Sequence, residues 1–221
     1  MLVLAFDTST PLVTVAVVDT GGHVVSEHER LAPNKQGELL APLIHAALAD
    51  AGAAPDRLGA LGVGLGPGPF TGLRVGVVSA AVMADALQVP AHGTCSLDAV
   101  LGPAGGDCLV ITDARRRQVY WARYDEAGHR VEGPELGPPA EVADRFRGAV
   151  PRVAGAGAVL YRECFADFVI DDDTLYPRAR TLGLLAAERA ERGEPGGVLT
   201  PMYLRRPDAQ PPGPPKRVTP A

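Results

Sequence analysis

The segment Gly64-Leu65-Gly66-Pro67-Gly68-Pro69-Phe70-Thr71-Gly72-Leu73-Arg74-Val75-Gly76 packs five glycines and two prolines into thirteen residues. Its Gly66-Pro67-Gly68-Pro69 core reads as a tight loop that joins a strand to a helix. Leu58 to Leu65 reads as the strand before it. Thr71 is a good N-cap for a helix from Gly72 to about Gln88. Free N–H groups at that helix start could hold an anion. No GK[ST] follows and the spacing is not a dinucleotide fingerprint, so tight turns and close packing explain the glycines equally well.

Within the helix, Gly72, Gly76, Ala80 and Ala84 recur every four residues and form one stripe of small residues along a face. Another backbone could approach there unusually closely. The remaining positions are apolar except Arg74, Ser79, Asp85 and Gln88. Glu38 to Ala51 is a second helix poor in polar residues, with Leu39, Leu40, Leu43, Ile44, Ala47 and Leu48 at helical spacing. Two such helices imply either a protein-binding face or a shared internal core.

Upstream, Leu2 to Phe6 is an unbroken apolar run, expected for a central strand covered on both faces. Val13 to Val18 is a second strand, and His23 to Leu31 a more exposed third one after the turn Asp19-Thr20-Gly21-Gly22. Val89 to Ser96 gives another short strand, so residues 1–102 read as a β-β-β-α-β-α-β unit. Gly102-Pro103-Ala104-Gly105-Gly106 is a plausible hinge. A smaller α/β unit over 103–206 has strands at Cys108 to Thr112 and Val119 to Tyr124, a strand near Arg152 to Ala154, a helix at Glu141 to Phe146, and a helix from Leu182 to Arg192 capped by Thr181. Proline-rich 207–221 reads as a mobile tail.

With 221 residues and 46% hydrophobic composition, the chain can bury a real core. A net charge of -5 argues against a nucleic-acid surface spread over the whole protein. Three scattered cysteines, Cys95, Cys108 and Cys164, form no CxxC pair and fit a reducing cytosol. The start, MLVLAFDTST, reads as a buried strand, neither a leader nor a membrane span. Asp7-Thr8-Ser9-Thr10 after that strand could hold nucleotide phosphates and a metal, or could simply cap its own turn. The five histidines form no HxxxH or HExxH pair, no serine sits in a GxSxG elbow, and no carboxylates stand out as an acid–base pair. A metallohydrolase or serine hydrolase is therefore disfavoured.

Three blocks in order, LAFDTST, GLGPGPFTGLRVG and ITDARRRQVYWARY, with a weaker PMYLRR, resemble the TsaB (YeaZ) family from the first strand to about Arg206. The resemblance implies a two-lobed α/β fold of the actin and sugar-kinase (ribonuclease-H-like) type, with mixed sheets flanked by helices. It implies a cytoplasmic, non-catalytic subunit that supports a TsaD-like transferase. Together with a TsaE-like P-loop ATPase, the pair forms threonylcarbamoyladenosine beside the anticodon of tRNAs reading codons that begin with A.

Contact with tRNA would be indirect and no membrane would be involved. Alone, the subunit would form a homodimer. No catalytic residue, metal or required cofactor is expected. Asp7, Thr8 and Ser9 would form a degenerate nucleotide site, with ATP or ADP at the complex interface. The metal-binding HxxxH of TsaD-like proteins is absent, Asp113-Ala114-Arg115 replaces a glycine-rich phosphate motif, and Gln36-Gly37-Glu38 stands where the family often has a histidine. The implied partner interface falls on Leu40, Leu43, Ile44, Ala47, Gly72, Gly76, Ala80 and Ala84. On that reading, Gly76→Leu or Ala80→Glu should abolish docking and spare the isolated fold. Alternatives are an ATP-dependent phosphotransferase or ATPase, an endopeptidase, and direct tRNA contact through Arg115-Arg116-Arg117, Arg205-Arg206 and Lys216-Arg217.

Overall fold

The computed structural model describes residues 1–101 and 105–205. Most of the hinge sequence and the whole proline-rich tail, with Arg206, Lys216 and Arg217, lie outside the described residues. The opening apolar run is strand β1 (Leu2–Asp7), followed by β2 (Leu12–Asp19) and β3 (Val24–Leu31). Helix α1 (Gln36–Asp50) leads to β4 (Leu58–Gly64), the glycine loop, helix α2 (Phe70–Leu87) and β5 (Ala91–Thr94). These strands make one sheet in the order β3-β2-β1-β4-β5, antiparallel through β1, β2 and β3 and parallel through β1, β4 and β5.

A short helix α3 (Asp98–Leu101) closes this part. A second sheet is built from β6 (Cys108–Asp113), β7 (Val119–Tyr124), β8 (Arg130–Gly137), β9 (Arg152–Ala154) and β10 (Val169–Ile170). Its order, β10-β9-β6-β7-β8, repeats the first sheet with β6 in the place of β1. Helices α4 (Pro139–Phe146) and α5 (Ala156–Leu160) belong to it, and α6 (Ala179–Glu191) follows.

Two helix starts differ from expectation. Helix α2 begins at Phe70 after Pro69, so Thr71 lies within its first turn rather than capping it. Pro69 itself holds the N-cap position, and no side chain caps the helix. Helix α6 begins three residues before Leu182, and its Ala179 N–H is satisfied by the Thr14 hydroxyl of β2 at 3.3 Å, not by a cap of its own.

Helices α1 and α2 cover one face of the first sheet, burying Leu40, Leu43, Ala47, Leu73, Val77 and Ala80 against Leu4, Phe6, Val15 and Leu61. The other face is covered by α6, which comes from the far end of the chain. Its approach is close because both sides are small: a Cβ on Gly62 would lie 2.9 Å from the Leu182 carbonyl oxygen, and one on Gly183 2.9 Å from a Val18 methyl. Ala16, Ala60, Ala186 and Ala187 complete this contact.

Space therefore does not divide where the sequence does. The second sheet forms its own core around Trp121, Phe146, Phe165 and Phe168, while α6 completes the first lobe. Residues 194–205 form a strap that returns with it, held by Gly197 N–H to Ala91 O at 3.1 Å and Met202 N–H to Leu65 O at 2.8 Å. Beneath the strap, Cys95, Leu97 and Val100 meet Tyr120, Ala122 and Tyr124 with Met202 and Leu204, a core shared by the two lobes.

Candidate functional site

Asp7 ends β1 and is fully buried. One carboxylate oxygen accepts the Ser9 amide at 2.7 Å and the Ser9 hydroxyl at 2.6 Å, and the other accepts the Ser96 hydroxyl, which itself accepts the Gly66 amide at 3.0 Å. Burial raises the carboxyl pKa above 3.8, and the donors from Ser9 and Ser96 pull against that. Gly64 is glycine because a Cβ there would sit 1.7 Å from an Asp7 oxygen, and Gly68 because its Cβ would fall 2.2 Å from the Ser9 carbonyl oxygen. The loop glycines thus let the chain lie against the Asp7 turn. Thr8 is buried likewise. Its hydroxyl donates to Gly72 O at 2.7 Å and accepts the Gly76 amide at 2.9 Å, pinning α2 to the end of β1.

The small-residue stripe therefore faces inward. Gly72 and Gly76 are buried against this chain's own β1 turn, where a Gly76 Cβ would come within 2.6 Å of the Thr8 hydroxyl, Ala80 is buried in the core of the first lobe, and Ala84 is half-buried. Leu40, Leu43 and Ala47 fill the core, with Ile44 half-buried at its edge. The interface residues expected from sequence are in the main internal, for the reason that small residues admit any close backbone, including one from the same chain.

The outward face of α2 carries a second four-residue series, Phe70, Arg74, Val78 and Val82, offset by two positions, or about 200° around the helix. Phe70 is 43%, Val78 56% and Val82 62% exposed. By length and apolarity α2 would pass for a membrane span, yet one side is packed on the sheet and it bears Arg74 and Asp85. These side chains form a row of apolar surface open to solvent. At its upper end the Arg74 guanidinium lies 3.8 Å over the Phe70 ring, and its Nε donates to the Tyr203 hydroxyl at 2.8 Å. The rings of Phe70 and Tyr203 are 5.1 Å apart. The series 70, 74, 78 was visible in the sequence; Tyr203, brought by the strap, was not.

Between the lobes lies a cleft of about 590 Å³, lined by Ser9, Thr10 and Gln36 from the first lobe, Thr112, Asp113 and Arg115 from the second, and by prolines and aromatics including Pro67, Phe70 and Tyr176. Gln36 is occupied in donating to Thr10 O at 3.1 Å. At the cleft's rim, Arg115, Arg116 and Arg117 are three successive residues with positive φ, at 59°, 53° and 56°. Non-glycine residues adopt this left-handed region at a cost of roughly 1–2 kcal/mol each. Arg115 Nη donates to Asn34 Oδ1 at 3.0 Å, tying the lobes together, and Arg205 donates to Gln118 Oε1 at 2.5 Å. Asp7 does not face this cleft: both its oxygens are already engaged by serines, so the residues present do not fit a metal–nucleotide pair held through Asp7. Among the described residues no three His, Cys, Asp or Glu side chains gather as a metal site.

The family model for TsaD, tRNA N6-adenosine threonylcarbamoyltransferase, matches residues 28–155. A Mycobacterium tuberculosis protein without an assigned function is 45% identical over 211 residues, covering 95% of this chain and 94% of the relative. The tRNA threonylcarbamoyladenosine biosynthesis protein TsaB of Escherichia coli is 28% identical over 221 residues, covering 93% and 95%. A crystal structure from Pseudomonas aeruginosa, described as similar to peptidase YeaZ, superposes with TM-score 0.79 at 30% identity over 92% of this chain and 99% of that one. A dehydratase activator of Clostridium difficile with bound ADPNP, 8% identical at TM-score 0.56, shares the fold alone.

Proposed function

The chain belongs to the TsaB (YeaZ) family, relatives of the threonylcarbamoyltransferase TsaD, and from that premise we propose that it is a non-catalytic partner subunit docking on a TsaD-type transferase through the outward face of α1 and α2. The family ties the chain to tRNA threonylcarbamoyladenosine biosynthesis. The observation that carries the partner role is the exposed row Phe70, Val78 and Val82 on a helix whose other side is already packed. A TsaD-type chain is the proposed partner because the TsaD family model matches residues 28–155 of this chain, a stretch that contains both α1 and α2.

The internal use of Asp7 supports a non-catalytic role, since its carboxylate is spent in orienting Ser9 and Ser96. Within this reading the modified position lies beside the anticodon of tRNAs for codons beginning with A, and a TsaE-type P-loop ATPase completes the assembly. The same apolar face accounts for a homodimer when the transferase is absent, and tRNA is reached through the complex.

Val82→Glu is the direct test. It places a charge at the far end of the exposed row, on a side chain that is 62% exposed. Complex formation with the transferase of the same organism, followed by light scattering after size exclusion, should be lost while the thermal midpoint of the free chain stays put. A complex of unchanged mass and affinity would remove this face from the function.

A further inference from the structure

We propose that Arg74, clamped between Phe70 and Tyr203, is a receptor for a carboxylate presented by the docking transferase; the proposal rests on the docking surface described above. Arg74 is the one cation on α2. Its guanidinium is fixed three ways: it stacks 3.8 Å over Phe70, sits 5.9 Å from the centroid of Tyr203, and gives its Nε–H to the Tyr203 hydroxyl at 2.8 Å. Among the described residues that phenol is its single hydrogen-bond partner and no carboxylate pairs with it. The nearest acid on its own helix, Asp85, is eleven residues away, or about 16 Å along the axis.

The exposed edge of the guanidinium is therefore a fork of two Nη groups with its orientation already set. Long side chains ordinarily lose rotamer freedom on binding; here the two rings and the phenol have removed it beforehand. The fork sits at the head of an apolar row, Val78 and Val82 below it. A partner that covers the row takes Arg74 out of water, and a desolvated cation without a counter-charge is strongly unfavourable. The partner must then supply an acceptor, and the planar fork fits an Asp or Glu carboxylate through two parallel N–H···O bonds better than any single carbonyl. Arginine flanked by aromatics on an apolar patch also has the make-up of an energetic anchor.

The clamp is assembled from distant parts of the chain. Phe70 and Arg74 come with α2, while Tyr203 is delivered by the strap, whose backbone is fastened to Ala91 and Leu65. The receptor therefore exists only when the strap is seated.

The experiment titrates the full-length chain against the transferase by calorimetry, comparing wild type with Arg74→Lys, Arg74→Ala, Tyr203→Phe and Val82→Glu. Each free variant is first checked by thermal unfolding. Arg74→Ala should weaken binding by roughly 30-fold or more, and Arg74→Lys, which keeps the charge but not the fork, by about tenfold. Tyr203→Phe should lie between these and wild type. Raising the salt concentration should weaken wild type more than Arg74→Ala. Arg74→Lys binding as tightly as wild type, or Arg74→Ala binding normally while Val82→Glu does not, would overturn the carboxylate receptor and leave the docking face intact. Normal binding by Val82→Glu would instead remove the docking face itself. Loss of self-association without loss of transferase binding in the Arg74 variants would assign the clamp to a second copy of this chain and overturn the proposal.

Discussion

Replacing Gly76 by alanine separates an internal role for the small-residue stripe from an interfacial one. The new methyl would lie 2.6 Å from the Thr8 hydroxyl oxygen and 3.6 Å from the Thr8 Cβ. That hydroxyl cannot step aside freely, because it donates to Gly72 O and accepts the Gly76 amide. Crowding costs about 2 kcal/mol, weakening the two hydrogen bonds about 1–2 more, and the better helix propensity of alanine returns about 1, leaving a net loss of about 2–3 kcal/mol. For a chain of this length the thermal midpoint should fall by about 5–10 °C. In a Thr8→Ala background the clash partner is gone, so the same glycine change should cost at least about 1 kcal/mol less, a coupling that a double-mutant cycle reads directly from urea unfolding. A Gly76→Ala protein as stable as wild type, or strict additivity in the cycle, would refute the inward orientation of the stripe. The isolated chain is thus expected to suffer from changes at Gly76, whereas changes at Val82 should leave it whole.

Other outcomes follow from burial. His92 is fully enclosed, both ring nitrogens lack a partner among the described residues, and desolvation, aided by the Arg189 charge, holds its pKa below 6.5. A base with a depressed folded pKa leaves stability intact above about pH 6.5 and erodes it as pH falls below that value, because the unfolded chain then takes up the proton first. The urea midpoint should therefore drop between pH 7.5 and 5.5 in wild type by more than in His92→Leu, and equal drops would exclude His92 as the cause. Burial pushes the Cys95 thiol up to about 12 and the Cys108 thiol to about 11, while Cys164 is half-exposed. A thiol reagent on the native chain should label Cys164 alone, and labelling of Cys95 at a similar rate would contradict the shared core beneath the strap.

The first lobe was legible because its strands are unbroken apolar runs and its helices have clear periodicity; β1, β2, α1, β4 and α2 fall where the pattern puts them. Strand β8, by contrast, is an exposed edge with Gly133 and Pro134 in its middle, so it carries no alternation to read. The destination of α6 was not legible either. Its buried face of Ala179, Leu182, Gly183, Ala186 and Ala187 specifies close packing but not against which sheet. The same ambiguity governs the candidate site. Gly72, Gly76 and Ala80 announce close approach, and only the Thr8 hydroxyl reveals that the approaching backbone is the chain's own. Asp7 looked available for a ligand because Ser96, which engages it, is 89 residues away.

The passage of α6 across the first sheet bears on how the protein comes into being on the ribosome. Strands β1 to β5 are complete by residue 94, yet the face bearing Val3, Ala16, Val18 and Ala60 stays bare until residues 179–191 have been made. A nascent chain that long presents an unfinished apolar sheet while the whole second lobe is still being synthesised, at about 5–20 residues per second. The lobe that begins the chain is thus the last to be sealed, and a fragment ending near residue 101 would be a client for chaperones rather than an independent unit.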